Sequence, residues 1–574
     1  MNKVIIAGAI LAAGAGAVIV SQQNSAPTYN VLEYIPADTP LFAGQFEPFP
    51  LKNYIASAPK MVDPAVQNSA DDLVDPTQPA TSFLLNLVKA YETSLTDADL
   101  FIKTFGLPDE VRAYFYTLGL LPVFKIEVVN EQAIWDLLDK AELESGFSHK
   151  KGMLENIAYR AYPITDETDP VNAEVIVAID NGLLTITFNS TYHQPGLLAN
   201  ALGLTKADNS LAASGSIEQI IKQHNFMADS IGYINHIEII KGLTTADGNQ
   251  LAKQITAMQK KLGNDDSLMQ IRSEQCAAEL ATIATNWPRT VTGYTQLEIN
   301  SKESTVAMST IIESKNQVFI DALSALRGHI PNYIDDINNN VLAMAIGLDV
   351  SELSNTLNTL WSDLQMPSYT CQPLAEIQAQ LSQYRDTIGI VGMSANMANG
   401  IQGVSMGILD YAVTNLDSNP QLDRLDALFT VSASNPEQLF NSAKMFMPEL
   451  QQIQLTNGGA PVSLSALLPI PSELNLDPQL AIQGNHLVIY NGEKGKKAAD
   501  GLATEALAKK GLYNLSFDFK KMVTPMITAV ELSGETIPEE AMFLTEYDAR
   551  MQMSADINHE GLILKSKVNN KAPE

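Results

Sequence analysis

Cysteine occurs only twice in the 574 residues, at Cys276 and Cys371. So few thiols exclude a disulfide-dense scaffold and any site built from four cysteines. The seven histidines, His149, His193, His224, His236, His329, His486 and His559, show no H-x-x-x-H or H-E-x-x-H spacing, which removes the usual helical zinc motifs and leaves no metal expected. No P-loop and no G-x-G-x-x-G opening a helix after a strand is present, so no nucleotide cofactor is expected either. Positive charge is also scarce. Thirty-six basic residues stand against 65 acidic ones, a formal charge of -29 that would repel phosphate backbones, and no Lys/Arg stripe reverses it locally. Nucleic acid is thereby excluded as an expected partner. Past residue 20 there is no run of about 18 apolar residues, so no second membrane span is expected.

What the chain does contain is a pattern of elements that returns about 300 residues later. LPVFKIEVVNEQAIWDLLDKA from Leu121 and LDALFTVSASNPEQLFNSAKMF from Leu425 both join an apolar strand to a helix. AEVIVAIDNGLLTITFN from Ala173 and PQLAIQGNHLVIYNG from Pro478 both read as strand, tight turn and strand, with Asn181-Gly182 the strongest hairpin signal because both central residues of a type I′ turn need positive φ. The closing hairpins also match, GYTQLEINSKESTVAMSTIIE from Gly293 and MQMSADINHEGLILKSKV from Met551. Strand Leu41–Phe46 has its counterpart at Val341–Leu348, followed by a helix capped by Asp349 or Ser351. These signals predict an α+β fold of two homologous halves, 27–325 and 326–574, each a mainly antiparallel sheet covered by helices. A helical hairpin at 245–286 is expected in the first half alone, and helices at 351–385 break around Pro367 and Pro373.

At the N-terminus, Lys3 precedes an apolar run from Val4 to Val20, which predicts that residues 1–26 are a secretory signal peptide or membrane anchor. That run, the Tyr-Ile-Pro-Ala-Asp-Thr-Pro string at 34–40 and the long duplicated body resemble a group of uncharacterised exported proteins of Gram-negative bacteria. The resemblance rests on about the first 50 residues and the general architecture. It implies a periplasmic protein, free or tethered by residues 4–20, and supplies no catalytic residues. In an oxidising compartment the lone pair Cys276 and Cys371 is expected to form a disulfide joining the two halves.

One string looks catalytic. Gly403-Val404-Ser405-Met406-Gly407 matches the G-x-S-x-G nucleophile elbow, with Asp410 or Asp417 and then His486 or His559 in the required order. The repeat argues against it, because VRAYFYTLGL stands in the same place in the first half and reads as a plain strand, and a strand has no elbow. Asp417, Asn419, Asp423 and Asp426 lack the Gly and bidentate Glu of a calcium loop, and read as an acidic loop entering a strand. Glycines 389, 392, 400, 403 and 407 are expected to ease close packing in a strand-rich region. Trp135, Trp287, Trp361 and the methionines from 393 to 406 read as core filling, or as the lining of a ligand groove. The expectation is therefore a cell-envelope protein without enzymatic activity that binds a protein or lipid-like partner. The alternatives are a serine hydrolase using Ser405 and a periplasmic carrier of an apolar ligand.

Overall fold

The Asn181-Gly182 turn takes the conformation its sequence demands. Asn181 has φ +50° and Gly182 φ +74°, and the flanking strands pair Asp180 with Leu183. At Gly484-Asn485 only the glycine takes positive φ, +59°. The computed structural model describes residues 31–58, 78–165, 172–263, 268–416, 419–465, 476–534, 536 and 548–572. The expected export segment lies outside the described residues. Among these residues no helix is long and apolar enough to cross a membrane.

The chain divides into two units, residues 1–313 with Thr370–Pro373 and Glu574, and residues 314–369 with 374–573. The expected boundary at 325/326 thus moves to 313/314. The cause is the helix Gln317–Leu326, which packs on the helix Val350–Gln365 and on the strand Asp548–Asn558.

In the first unit the strands are β1 (Leu41–Gln45), β2 (Ala113–Leu118), β3 (Leu121–Glu127), β4 (Lys150–Leu154), β5 (Ile157–Pro163), β6 (Ala173–Asp180), β7 (Leu183–Ser190), β8 (Ser230–Asn235), β9 (Arg289–Ile299) and β10 (Glu303–Glu313). They run in the order β4-β5-β6-β7-β3-β2-β1-β8-β9-β10, every neighbour antiparallel. The helices are α1 (Leu51–Ser57), α2 (Pro79–Ser94), α3 (Ala98–Thr104), α4 (Glu131–Ser145), α5 (Leu197–Leu202), α6 (Leu211–Ser214), α7 (Ser216–His224), α8 (His236–Thr244), α9 (Gln250–Leu262) and α10 (Glu274–Asn286). Phe83 and Leu87 of α2, Phe101 of α3, and Ile134 and Leu138 of α4 close over Ile126, Leu184 and Ile186 in one apolar cluster. Trp135 joins this cluster, with the Arg160 guanidinium 4.7 Å above its ring. The insert at 245–286 is helical as expected. Its two helices, α9 and α10, each pack on α8.

In the second unit the strands are β11 (Gly328–His329), β12 (Leu342–Gly347), β13 (Ile401–Leu416), β14 (Asn419–Ala433), β15 (Val462–Ser463), β16 (Gln479–Gln483), β17 (His486–Asn491), β18 (Lys509–Gly511), β19 (Tyr513–Asp518), β20 (Asp548–Asn558) and β21 (Gly561–Lys571). Nine of them run β15-β16-β17-β14-β13-β12-β19-β20-β21, again antiparallel throughout, while β11 pairs with β18. The helices are α11 (Gln317–Leu326), α12 (Val350–Gln365), α13 (Gln372–Ser382), α14 (Arg385–Met397), α15 (Pro436–Ala443), α16 (Gly492–Leu502) and α17 (Phe519–Leu532). Asp349 is the N-cap of α12, and its carboxylate accepts from the Ser351 hydroxyl. From β6 and β16 onward the two strand orders correspond one to one, with Phe124 on β3 and Phe429 on β14 in the same place. Gly389 and Gly392 belong to α14 instead of a strand-rich region, whereas Gly403 is the close-packed glycine expected: a side chain there would overlap the carbonyl of His329.

Candidate binding surface

The strand β13 inverts the usual relation between polarity and burial. Gly403, Ser405 and Gly407 are buried, while Val404 and Met406 between them are exposed. Alternation along a strand puts these two sets on opposite faces, and the face that looks like core is the open one. Its partners continue the pattern. Across the register, Phe429 on β14 faces Met406 on β13, Met406 faces Met344 on β12, Met344 faces Leu515 on β19, and Leu515 faces Met553 on β20. A second row two residues along runs Val431, Val404, Ile346, Tyr513, Ala555 and Leu564, ending on β21. Six of these side chains, Ile346, Val404, Met406, Phe429, Met553 and Leu564, are 38–48% exposed. Met406 is therefore not core filling, and neither is Met393 on α14, which is 66% exposed. At the β16–β17 end the face is closed by Phe440 of α15 with Ile453, Leu464 and Leu480.

The opposite face is covered, and it mixes polar groups with two apolar clusters, one around Leu428 and Val488 and one around Ile334 and Ala343. The segment from β11 to Asn340 lies over it: the Tyr333 hydroxyl donates to Ser405 Oγ at 2.9 Å, Ser516 Oγ donates to the Ile334 carbonyl at 2.8 Å, and Asn514 Nδ2 donates to Asp335 Oδ1 at 2.6 Å. Burial pushes the Tyr333 phenol up to about 12, so it stays a neutral donor. Ser405 sits mid-strand between Ala345 and Thr430, 3% exposed. The Gly403–Gly407 string is thus a strand, not an elbow.

The residues that could have completed a triad are also elsewhere. Asp410 pairs with Arg424 and Lys494, both in contact with the same carboxylate oxygen. Asp417 lies outside the described residues, and Asp423 and Asp426 are within β14, not in a loop. His559 stands in the β20–β21 turn. His486 bonds a different serine: the Ser432 hydroxyl lies 2.9 Å from Nδ1, and the Glu505 carbonyl lies 3.2 Å from Nε2. A carbonyl only accepts, so Nε2 carries the proton and Nδ1 accepts from Ser432. Neither Ser432 nor His486 has exposed surface, which leaves no access for a substrate.

His329 lies beside His486, with ring centroids 5.2 Å apart and the planes tilted by 43°. The backbone N–H of Ala508 donates to His329 Nδ1 at 3.1 Å, which requires a neutral ring with its proton on Nε2, 3.5 Å from Glu505 Oε1. Burial first, and the neighbouring His486 second, hold His329 down to about 4. Burial likewise lowers His486. This pair is a buried structural cluster. In the first unit the corresponding oddity is Lys125 on β3, 1% exposed, whose Nζ donates to Thr185 Oγ1 at 2.8 Å and which burial lowers to about 7.

Cys276 and Cys371 form the expected disulfide, both 2% exposed. Its placement differs from expectation, since Thr370–Pro373 groups with the first unit. Glu279 on α10 explains the grouping: its carboxylate accepts from the backbone N–H groups of Thr370 and Cys371 at 2.8 and 3.0 Å. Among the described residues no group of three or more His, Cys, Asp or Glu side chains could hold a metal ion. The chain matches no protein-family model, no curated protein and no solved structure. The apolar rows were missed in the sequence because Met406 reads as core filling and the Gly403–Gly407 string draws notice to Ser405 instead. The signal available was the small set opposite them, Gly403, Ser405 and Gly407, which admits a crossing segment.

Proposed function

We propose that this chain is a non-enzymatic binding protein of the cell envelope, and that its second unit holds an apolar protein partner on the open face of its sheet. The observation that carries the reading is the pair of register-matched rows ending at Phe429 and Leu564. Isolated exposed apolar residues need no explanation, but a contiguous patch marks an interaction surface. Three methionines within the rows suit it to adaptable contact, since the thioether chain repacks at low cost. An open face favours a macromolecule over the enclosed ligand of a carrier. The shared strand order supports reading the units as an internal duplication, and the disulfide is consistent with an oxidising compartment such as the periplasm, reached through residues 1–26. Fluorescence of bis-ANS tests the reading. Wild type should enhance the dye strongly, and Met406→Thr/Phe429→Thr should remove most of the enhancement with the circular dichroism unchanged. Equal enhancement in both proteins would sink it.

A further inference from the structure

Resting on that reading, we infer that the occupant of this face is one amphipathic helix with a basic polar side, contributed by a partner protein. The first unit provides the internal precedent. There, helices of the same chain close over the counterpart of the second row: Ile126, Tyr294 and Met308, which stand at the places of Val431, Ala555 and Leu564, share one apolar cluster with Phe83 of α2 and Ile134 of α4. The second unit has helices at the same place in the sequence, α12 to α14 between β12 and β13, yet they leave the rows open. What covers this kind of face is therefore a helix; α17 packs on β13, β14 and β20 beside the rows, with the Tyr411 hydroxyl donating to the Met522 carbonyl, yet among the described residues the rows themselves stay open.

The dimensions agree. From β14 to β21 the rows cross five strand intervals, roughly 24 Å at about 4.8 Å each, and two rows make a strip about 7 Å wide. A helix of about 16 residues is roughly 24 Å long and presents an apolar stripe of that width; α2, which covers the first unit, has 16 residues. The six most exposed side chains offer on the order of 400–500 Å² in all, within the roughly 300–600 Å² of a large functional patch and short of the roughly 800 Å² per partner of a standard protein interface. A second copy of the chain fits this area less well than one helix does. Charge selects the helix further. A body of net charge -29 repels its own copies and anionic lipid surfaces, and attracts a segment whose polar side carries Lys and Arg.

Fluorescence anisotropy with three labelled peptides of about 16 residues tests this on the full-length protein: a Leu/Lys peptide of helical period, the same composition scrambled, and a Leu/Glu peptide of helical period. The periodic Leu/Lys peptide should bind saturably. The other two should bind at least about tenfold more weakly, as should the periodic peptide to Met406→Thr/Phe429→Thr or to Ile346→Ser. The exposure of all three positions keeps these variants folded, which unchanged thermal melting confirms. Equal binding of the scrambled or acidic peptide would overturn the inference. So would co-flotation with phosphatidylcholine vesicles in place of peptide binding, or sedimentation as a dimer that the double variant abolishes. Dye enhancement at the face without peptide binding would overturn the helical occupant while leaving the proposed function standing; loss of both would remove both.

Discussion

The two units share a strand order and differ in what lies on it. In the first, Ile126, Tyr294 and Met308 lie in the apolar cluster that α2 and α4 close; in the second, the matching rows leave Val404, Met406, Phe429 and Leu564 facing solvent. On the other face the contrast involves polar groups. The first unit buries Lys125 beside Thr185, and the second buries a network of Ser405, Tyr333, Ser432 and two histidines. One strand topology thus serves as a closed body and as an open surface, according to whether helices of the chain close over its rows.

The largest expected effect concerns the closed unit. Cys371→Ser should lower its unfolding free energy by roughly 4–5 kcal/mol at most, the chain-entropy value for a loop of this size, and calorimetry should show the loss in one transition only. The cysteines are 95 positions apart and both belong to the first unit. An equal loss in both transitions would break the division into units.

Next, Phe83→Ala should cost about 3–5 kcal/mol because it empties a buried site, while Phe429→Ala on the open face should cost under about 1 kcal/mol. Urea melts of the two variants measure this, and similar losses would mean that the two faces are covered alike.

Lys125 gives the third test. Its folded pKa is lowered to about 7 from 10.5, so the unfolded chain binds more protons between those values and stability rises with pH across that window. Lys125→Met should therefore stabilise the first unit by on the order of a few kcal/mol at pH 7 and below, with the gain shrinking towards pH 10.5. A pH-independent gain would show that the ammonium is not the cause.

The smallest effect belongs to the second unit. His329 falls to about 4 from 6.5, so its neutral form stabilises the fold above 6.5, and that contribution is lost as pH falls towards 4. His329→Gln should flatten the acid limb of the second transition, by roughly 1–3 kcal/mol at pH 4. An unchanged limb would place the acid sensitivity elsewhere.

Much of this fold is legible in the residues. Asn181-Gly182 sets its hairpin because few residue pairs accept two positive φ values, and the strand and helix pairs from Leu121 and Leu425 form as their periodicity requires. The surface is not legible in the same way. Alternation in β13 separates its residues into two faces without saying which one is covered, and the answer depends on a distant segment, Gly328 to Asn340, whose backbone crosses at Gly403. Polarity suggested the wrong face because the crossing segment brings its own hydrogen-bonding partners, Tyr333, Asp335 and the Ile334 carbonyl, to satisfy Ser405, Asn514 and Ser516.

The grouping of Thr370–Pro373 with the first unit has a consequence for biogenesis. A nascent chain that has emerged only as far as Glu313 holds every strand of that unit, yet Cys276 still has no partner and Glu279 lacks the two backbone N–H groups it binds. Completion of the first unit must wait until about 60 further residues have appeared, including β12 and α12 of the second. During synthesis the two units therefore mature as overlapping events, and a fragment cut at their boundary would carry an unpaired thiol.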